Sequence, residues 1–149
     1  MNKINKCEVC NNNELLPVLD LGKHPLCDDL VPIGNNRLCK EYPIEIVFCQ
    51  KCMTAHQKYQ VPKQELFTKD YHYRARMTGS VLSGMSDLVE SCEKKLGSLE
   101  GKTVLDVGCN DGSLLNFFHK KGCKTIGVEP TRAADDSTHE TINAYFDEV

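Results

Sequence analysis

The stretch that most constrains this chain is Lys102 to Pro130, KTVLDVGCNDGSLLNFFHKKGCKTIGVEP. Thr103 to Val107 is a short apolar run between a charged lead-in and a glycine, which predicts a buried strand of a parallel sheet. Gly108 and Gly112 bracket a tight turn of the kind in which the backbone comes close to a ligand and a Cβ would obstruct it. Ser113 is placed to cap the helix that follows. Leu114, Leu115, Phe117 and Phe118 give that helix an apolar face, Lys120 and Lys121 suit its C-terminal dipole, and Gly122 ends it. A second strand, Thr125 to Val128, leads to Glu129, 23 positions after Asp106. A carboxylate at that tip can accept hydrogen bonds from both hydroxyls of a ribose, so the stretch has the form of a nucleoside-binding βαβ unit.

The turn narrows the ligand. A dinucleotide fingerprint needs glycines at positions 110 and 113, where Asn110 and Ser113 stand, so a pyrophosphate-bridged ligand is disfavoured on this loop. Taken alone, the residues leave open a Rossmann turn that binds another nucleotide or nothing.

The rest of the chain sets further bounds. Its 149 residues are 40% hydrophobic and 26% charged, enough for one domain or two small ones. A formal charge of -3, with scattered Lys and Arg, gives no nucleic-acid footprint. The opening MNKINKCEVC has no signal-peptide core, and no apolar run approaches a membrane span, so the reading is cytoplasmic, with no membrane partner. In that compartment thiols stay reduced, and cysteine pairs point to metal rather than to disulfides.

The informative cysteines among the nine are Cys7, Cys10, Cys49 and Cys52. Each C-x-x-C can turn two sulfurs onto one ion, and two such knuckles complete a Cys₄ shell that suits Zn²⁺. The 38 residues between the pairs exceed the usual gap. A redox C-x-x-C is the rival reading, but it would need a following helix, and Cys52 leads into extended chain. Four thiolates leave no position for water or substrate, so the ion would be structural. Residues 1 to 65 hold few large apolar side chains and would depend on it for folding. Cys27, Cys39 and His56 are spare candidate ligands.

Two strings carry a resemblance. DVGCNDG followed by an acid on the next strand is similar to the S-adenosylmethionine (SAM) loop of class I methyltransferases, and GCNDGSLL with GVEPT resembles the sugar C-methyltransferases, which methylate keto-sugar nucleotides. The resemblance implies that Gly108, Asn110 and Gly112 line the methionine end of SAM, that Asp106 supports the loop and that Glu129 holds the ribose. It also implies an N-terminal zinc module, with YPIEIVFCQKCMTAHQ as its second half and Cys7, Cys10, Cys49 and Cys52 as ligands. In ELFTKDYHYRARM, residues 65 to 77, Tyr71 and Tyr73 match a Tyr-x-Tyr segment lining the sugar-nucleotide cleft. Arg74 or Arg76 could pair there with a diphosphate. Rings packing a seam, with arginines in solvent, are the alternative for that segment.

The remaining elements follow from periodicity. Thr78 to Leu99 reads as one amphipathic helix with Leu82, Met85, Val89, Cys92 and Leu96 on its core stripe. Pro17, Pro25, Pro32 and Gly34 predict short extended pieces ahead of a strand at Pro43 to Phe48. Asp28 and Asp29 read as a solvated turn. TRAADDSTHE reads as a polar helix, and Thr141 to Phe146 as a third parallel strand.

The expected organisation is α/β. Residues 1–65 form a small loop-rich β zinc-binding module, 66–77 a hinge, and 78–149 the start of a Rossmann-like class I methyltransferase sheet, incomplete at about three strands. The first strand would then have an unpaired edge, to be covered by the remainder of the polypeptide or a completing subunit. The function this implies is SAM-dependent C-methyl transfer to a nucleotide-linked sugar, with the catalytic base outside these residues and the chain inactive alone. The alternative is a non-catalytic zinc-binding interaction module with a vestigial nucleotide loop.

Overall fold

The computed structural model describes residues 1–149 as two compact units, Met1–Leu66 and Phe67–Val149. In the first, β2 (Leu16–Pro25), β3 (Glu41–Cys49) and β4 (Thr54–Gln57) form an antiparallel sheet in that order, and β1 (Asn2–Lys3) pairs antiparallel with β5 (Tyr59–Gln60). The extended pieces expected around Pro17 and Pro25 are in fact one ten-residue strand. It is tolerated because β2 is an edge strand, where a missing N–H need not break a ladder, and its pairing slips between Pro17 and Leu19 and again between Asp20 and Lys23.

This unit buries little. Cys7, Tyr42, Val47 and Cys49 are its buried apolar residues, the two cysteines fully so, while Leu16, Val18, Leu19 and Leu21 of β2 are all exposed. Its C-terminal turn, α1 (Lys63–Leu66), is tied down by polar contacts: Glu65 accepts from the Tyr42 hydroxyl and, at 2.5 Å, from Lys40. These contacts hold Glu65 below and Tyr42 above their ordinary pKa ranges.

In the second unit β6 (Thr103–Val107), β7 (Lys124–Val128) and β8 (Glu140–Ile142) form a parallel sheet in that order. α3 (Ser113–Lys120) packs on β6 and β7, and α2 (Gly79–Leu96) packs on α3. Val89, Leu99, Phe118 and Cys123 make the core, joined by Cys92, Val104, Leu114 and Phe117. The sequence predicted strands buried on both faces. Instead Val104 meets the helices, while Leu105 and Val107 remain about half exposed (50% and 52%), because the helices cover one face of β6.

Local chemistry accounts for other departures. Ser113 is the first residue of α3 rather than its cap; Gly112 occupies the cap position with φ 74°, and Asp111 accepts from the Ser113 N–H and hydroxyl. α3 ends as expected, with Gly122 at φ 81° and Cys123 N–H returning to the Phe118 carbonyl. The polar stretch after Pro130 is a short 3₁₀ turn, Arg132–Asp136, capped by the Thr131 hydroxyl. The third strand stops at Ile142, because the Asn143 amide turns back to donate to the carbonyls of Glu129 and Thr131 at 2.8 and 2.9 Å. α2 stops at Leu96, which is 65% exposed, and only Val89 of the predicted stripe is fully buried.

Gly127 is where the sheet and the β6–α3 loop come closest. A Cβ there would lie 2.5 Å from the Cys109 Sγ and 3.2 Å from its Cβ. Gly127→Ala should therefore destabilise the second unit by about 1–3 kcal/mol in urea unfolding. Adding Cys109→Ala, which removes the closer clash, should recover part of that loss.

Candidate functional site

The two C-x-x-C segments fold alike. Asn11 and Met53, each just after the second cysteine of its pair, take left-handed backbone conformations (φ 59° and 58°), and Asn11 N–H donates to the Cys7 carbonyl at 2.9 Å. This curls each segment so that its sulfurs face the other pair. Cys7 and Cys52 sulfurs are 3.4 Å apart, those of Cys10 and Cys49 3.6 Å, and all four lie within 4.8 Å of one another. A tetrahedral site with ~2.3 Å Zn–S bonds has sulfurs about 3.8 Å apart, so the donor set has the size and softness for zinc.

The electrostatics agree. Burial opposes ionisation of Cys7, yet the backbone N–H groups of Cys10 and Val9, aided by Cys52 and His56, bring it down to about 5. At Cys10 the Asn12 backbone favours the thiolate, but burial and the other three cysteines outweigh it and push the thiol up to about 12. The pocket thus favours a first thiolate and resists the last, a conflict that a divalent cation removes. His56 Nε2 lies 3.2 Å from the Cys7 sulfur, and its Nδ1 lies 4.0 Å from Glu8. The spare ligand candidate thus stands beside the four sulfurs, where it can donate to one of them. Cys39 is elsewhere, its thiol donating to the Asp29 carbonyl.

In the second unit the structure gathers Asp106, Gly108, Asn110, Gly112 and Glu129 around the loop between β6 and α3. Gly108 has φ 80°, and a Cβ there would meet no atom within 4 Å, so the backbone has open space beside it. Gly112 differs: its Cβ would lie 2.6 Å from the Ser137 Oγ, so this glycine serves packing as well as the turn. Asn110 also has a left-handed backbone, at φ 51°. Glu129 is nearly buried. Its Oε2 accepts from the Asn110 N–H at 3.0 Å, and its Oε1 from the Thr131 N–H and hydroxyl at 2.9 and 2.6 Å. Burial, and then the Glu129 charge, raise the pKa of Asp106; burial with the charges of Asp106 and Glu129 pushes the Cys109 thiol up to about 11.

The Asn110 side chain is turned to a neighbouring segment. Its Oδ1 accepts from Ala75 N–H at 2.9 Å and its Nδ2 donates to the Tyr73 carbonyl at 3.1 Å. Asp111, fully buried at its side chain, adds Arg76 N–H at 3.0 Å to the two donors of Ser113. Residues 73–76 are thereby stitched to the loop. Tyr71 and Tyr73 stack edge to face at 6.5 Å, with Tyr73 42% exposed. Arg74 and Arg76 both meet Asp136, at 2.5 and 3.2 Å. Sequence reasoning missed Asp111, Thr131 and Asn143; only Asp111 carried a signal, an Asp two residues before a helix-forming run, where its side chain can satisfy first-turn N–H groups.

Comparison with known proteins adds an independent line. Residues 7–67 match a family model described as a zinc binding domain, and residues 73–148 one described as a methyltransferase domain. C-methyltransferase NovU of Streptomyces niveus is 31% identical over 151 residues, covering 96% of this chain and 35% of that protein. Ubiquinone biosynthesis O-methyltransferase of Alkalilimnicola ehrlichii is 40% identical over 48 residues, 32% of this chain and 18% of that protein. The chain thus spans about a third of the length of the first relative.

Asp111→Ala would strand three donors and open the stitch between the loop and residues 73–76. It should cost about 2–4 kcal/mol in urea unfolding, whereas Asp135→Ala, at an exposed position, should stay within about 0.5 kcal/mol.

Proposed function

Because the chain belongs to the methyltransferase-domain family and carries a zinc binding domain ahead of that domain, we propose that it supplies the donor-binding and metal-stabilised part of a SAM-dependent C-methyltransferase acting on a keto-sugar nucleotide in the cytoplasm. The observation that carries this reading is the Glu129 carboxylate, fixed at the tip of β7 and bonded to the glycine-flanked loop through Asn110 N–H. A carboxylate offers about four lone-pair positions. Three are occupied by Asn110 and Thr131, and the fourth, on Oε2, would accept from a ribose hydroxyl. Glu129 would then take one hydroxyl rather than the two that the sequence suggested.

When bound, SAM supplies an electrophilic methyl group. The chain's part is to hold its nucleoside end at Glu129 and to leave backbone open beside Gly108 for the methionine end. Asp106, uncharged more readily than an ordinary carboxyl, stands on β6 just ahead of the loop, while Asn110 holds the segment that carries Tyr71 and Tyr73 through Ala75 N–H and the Tyr73 carbonyl. Those two rings would face the sugar nucleotide. Taking a proton from the carbon beside the ketone requires a base within hydrogen-bond reach. His56 and His139 are committed elsewhere, to the Cys7 sulfur and to Thr125 and Asn116 respectively. We assign the base to no residue of this chain, and propose that the rest of the polypeptide or a completing subunit provides it.

The zinc would be held by Cys7, Cys10, Cys49 and Cys52, with His56 donating to the Cys7 sulfur. The small buried core of the first unit supports a folding role for the ion.

Two measurements test the proposal. S-adenosylhomocysteine should bind the purified protein and lose at least about tenfold in affinity, ~1.4 kcal/mol, in Glu129→Ala, by calorimetry; unchanged affinity removes the ribose role. Elemental analysis should find one zinc per chain, lost in Cys49→Ser together with the protected amides of the first unit in hydrogen exchange. A folded, metal-free first unit contradicts the zinc assignment.

A further inference from the structure

We propose that Asn12 and His56 are positioning residues for the metal, each donating an N–H to a sulfur of the opposite cysteine pair, an inference that rests on the zinc reading above. Four thiolates around a divalent cation leave a net negative charge, which is costly to bury unless hydrogen-bond donors reach it. Cys7 and Cys49 have no exposed surface, so bulk water does not supply those donors. The chain does. The Asn12 Nδ2 donates to the Cys49 Sγ at 3.6 Å, and the His56 Nε2 lies 3.2 Å from the Cys7 Sγ.

The two donors cross between the pairs. Asn12 closes the first pair, its carbonyl accepting from Cys7 N–H at 2.7 Å, yet its side chain reaches the second. The orientation of its amide is fixed, because Nδ2 also donates to the Glu14 carbonyl at 2.8 Å and keeps its other N–H for the sulfur. His56 belongs to β4, in the hairpin that follows the second pair, and reaches back to the first. Thr54, two residues earlier on the same face of that strand, lies 3.2 Å from the Cys52 Sγ, so the register of β4 against β3 sets both contacts. The His56 side chain is 8% exposed, and the nearest Glu8 oxygen, 4.0 Å from Nδ1, is beyond hydrogen-bond reach. Glu8 instead accepts from the Gln60 Nε2 at 2.6 Å, which leaves the sulfur as the partner that orients the ring. Each half of the module thus supplies a donor to the other half's sulfur, which ties ion binding to the mutual register of two pairs that 38 residues separate.

The zinc affinity of the full chain, measured by competition with a chromophoric chelator, tests the assignment. Asn12→Ala and His56→Phe should each weaken zinc at least about tenfold, the scale expected when a metal ligand loses its outer partner. Asn12→Asp, which keeps the shape but offers no N–H, should bind at least as weakly as Asn12→Ala. His56→Gln, which restores an N–H, should lose only a few-fold. If His56→Phe does not fold, Asn12→Asp and His56→Gln decide the matter. With Co²⁺ in place of zinc, the visible ligand-field bands of an all-sulfur tetrahedral site should be the same in the wild type and the variants. Zinc affinity unchanged in Asn12→Ala, Asn12→Asp and His56→Phe overturns the assignment. Co²⁺ bands that shift when His56 is replaced also overturn it, because His56 would then be a ligand. A wild type that takes up no zinc contradicts the zinc reading itself, an outcome distinct from zinc that is bound equally well with and without the two donors.

Discussion

The second unit depends on one carboxylate with three donors. Glu129 lies at the C-terminal tip of a parallel strand, almost out of water, where an unsatisfied charge would be costly. Thr131 satisfies one oxygen and the Asn110 backbone the other. The Asn110 bond reaches across 19 residues and locks the loop to the strand tip. Because the same residue's side chain holds Tyr73 and Ala75, the contact continues to a third element. Strand tip, glycine loop and aromatic segment therefore form one hydrogen-bonded body, and a ligand at any of them meets groups already oriented.

The first unit is organised on a different basis. Its ten-residue edge strand leaves four large apolar side chains in solvent, and its fully buried positions include two cysteines of the cluster. Burial on that scale gives little stabilisation against the entropy of ordering a segment of this size. The geometry of the sulfurs, with Cys7 poised to ionise and Cys10 resisting, is what a protein offers a cation whose binding then contributes to folding.

Much of this was legible in the sequence, and the reasons differ by residue. The strand–turn–helix–strand unit was readable because Gly108, Gly112 and Gly122 occupy positive-φ positions that few other residues accept, and because the apolar period changes between them. The paired cysteines were readable because their spacing is a local geometric requirement. Less legible was anything decided by a distant partner. Ser113 looked like a cap, but Asp111 satisfies the helix start, and its second oxygen is taken by Arg76, 35 residues away. Arg74 and Arg76 gave no hint of sharing Asp136, and Leu105 and Val107 resemble buried strand residues until it is known that the helices lie on the other face.

The central claim is that Glu129 receives a ribose hydroxyl on Oε2 while Thr131 keeps Oε1. A crystal structure of the protein soaked with S-adenosylhomocysteine tests it most directly. The account predicts one ribose hydroxyl at roughly 2.6–3.0 Å from Oε2, the Thr131 bonds intact and the amino-acid end beside Gly108. A ligand seated away from β7, or a Glu129 carboxylate still bonded only to Asn110 and Thr131 with the ligand present, would contradict it.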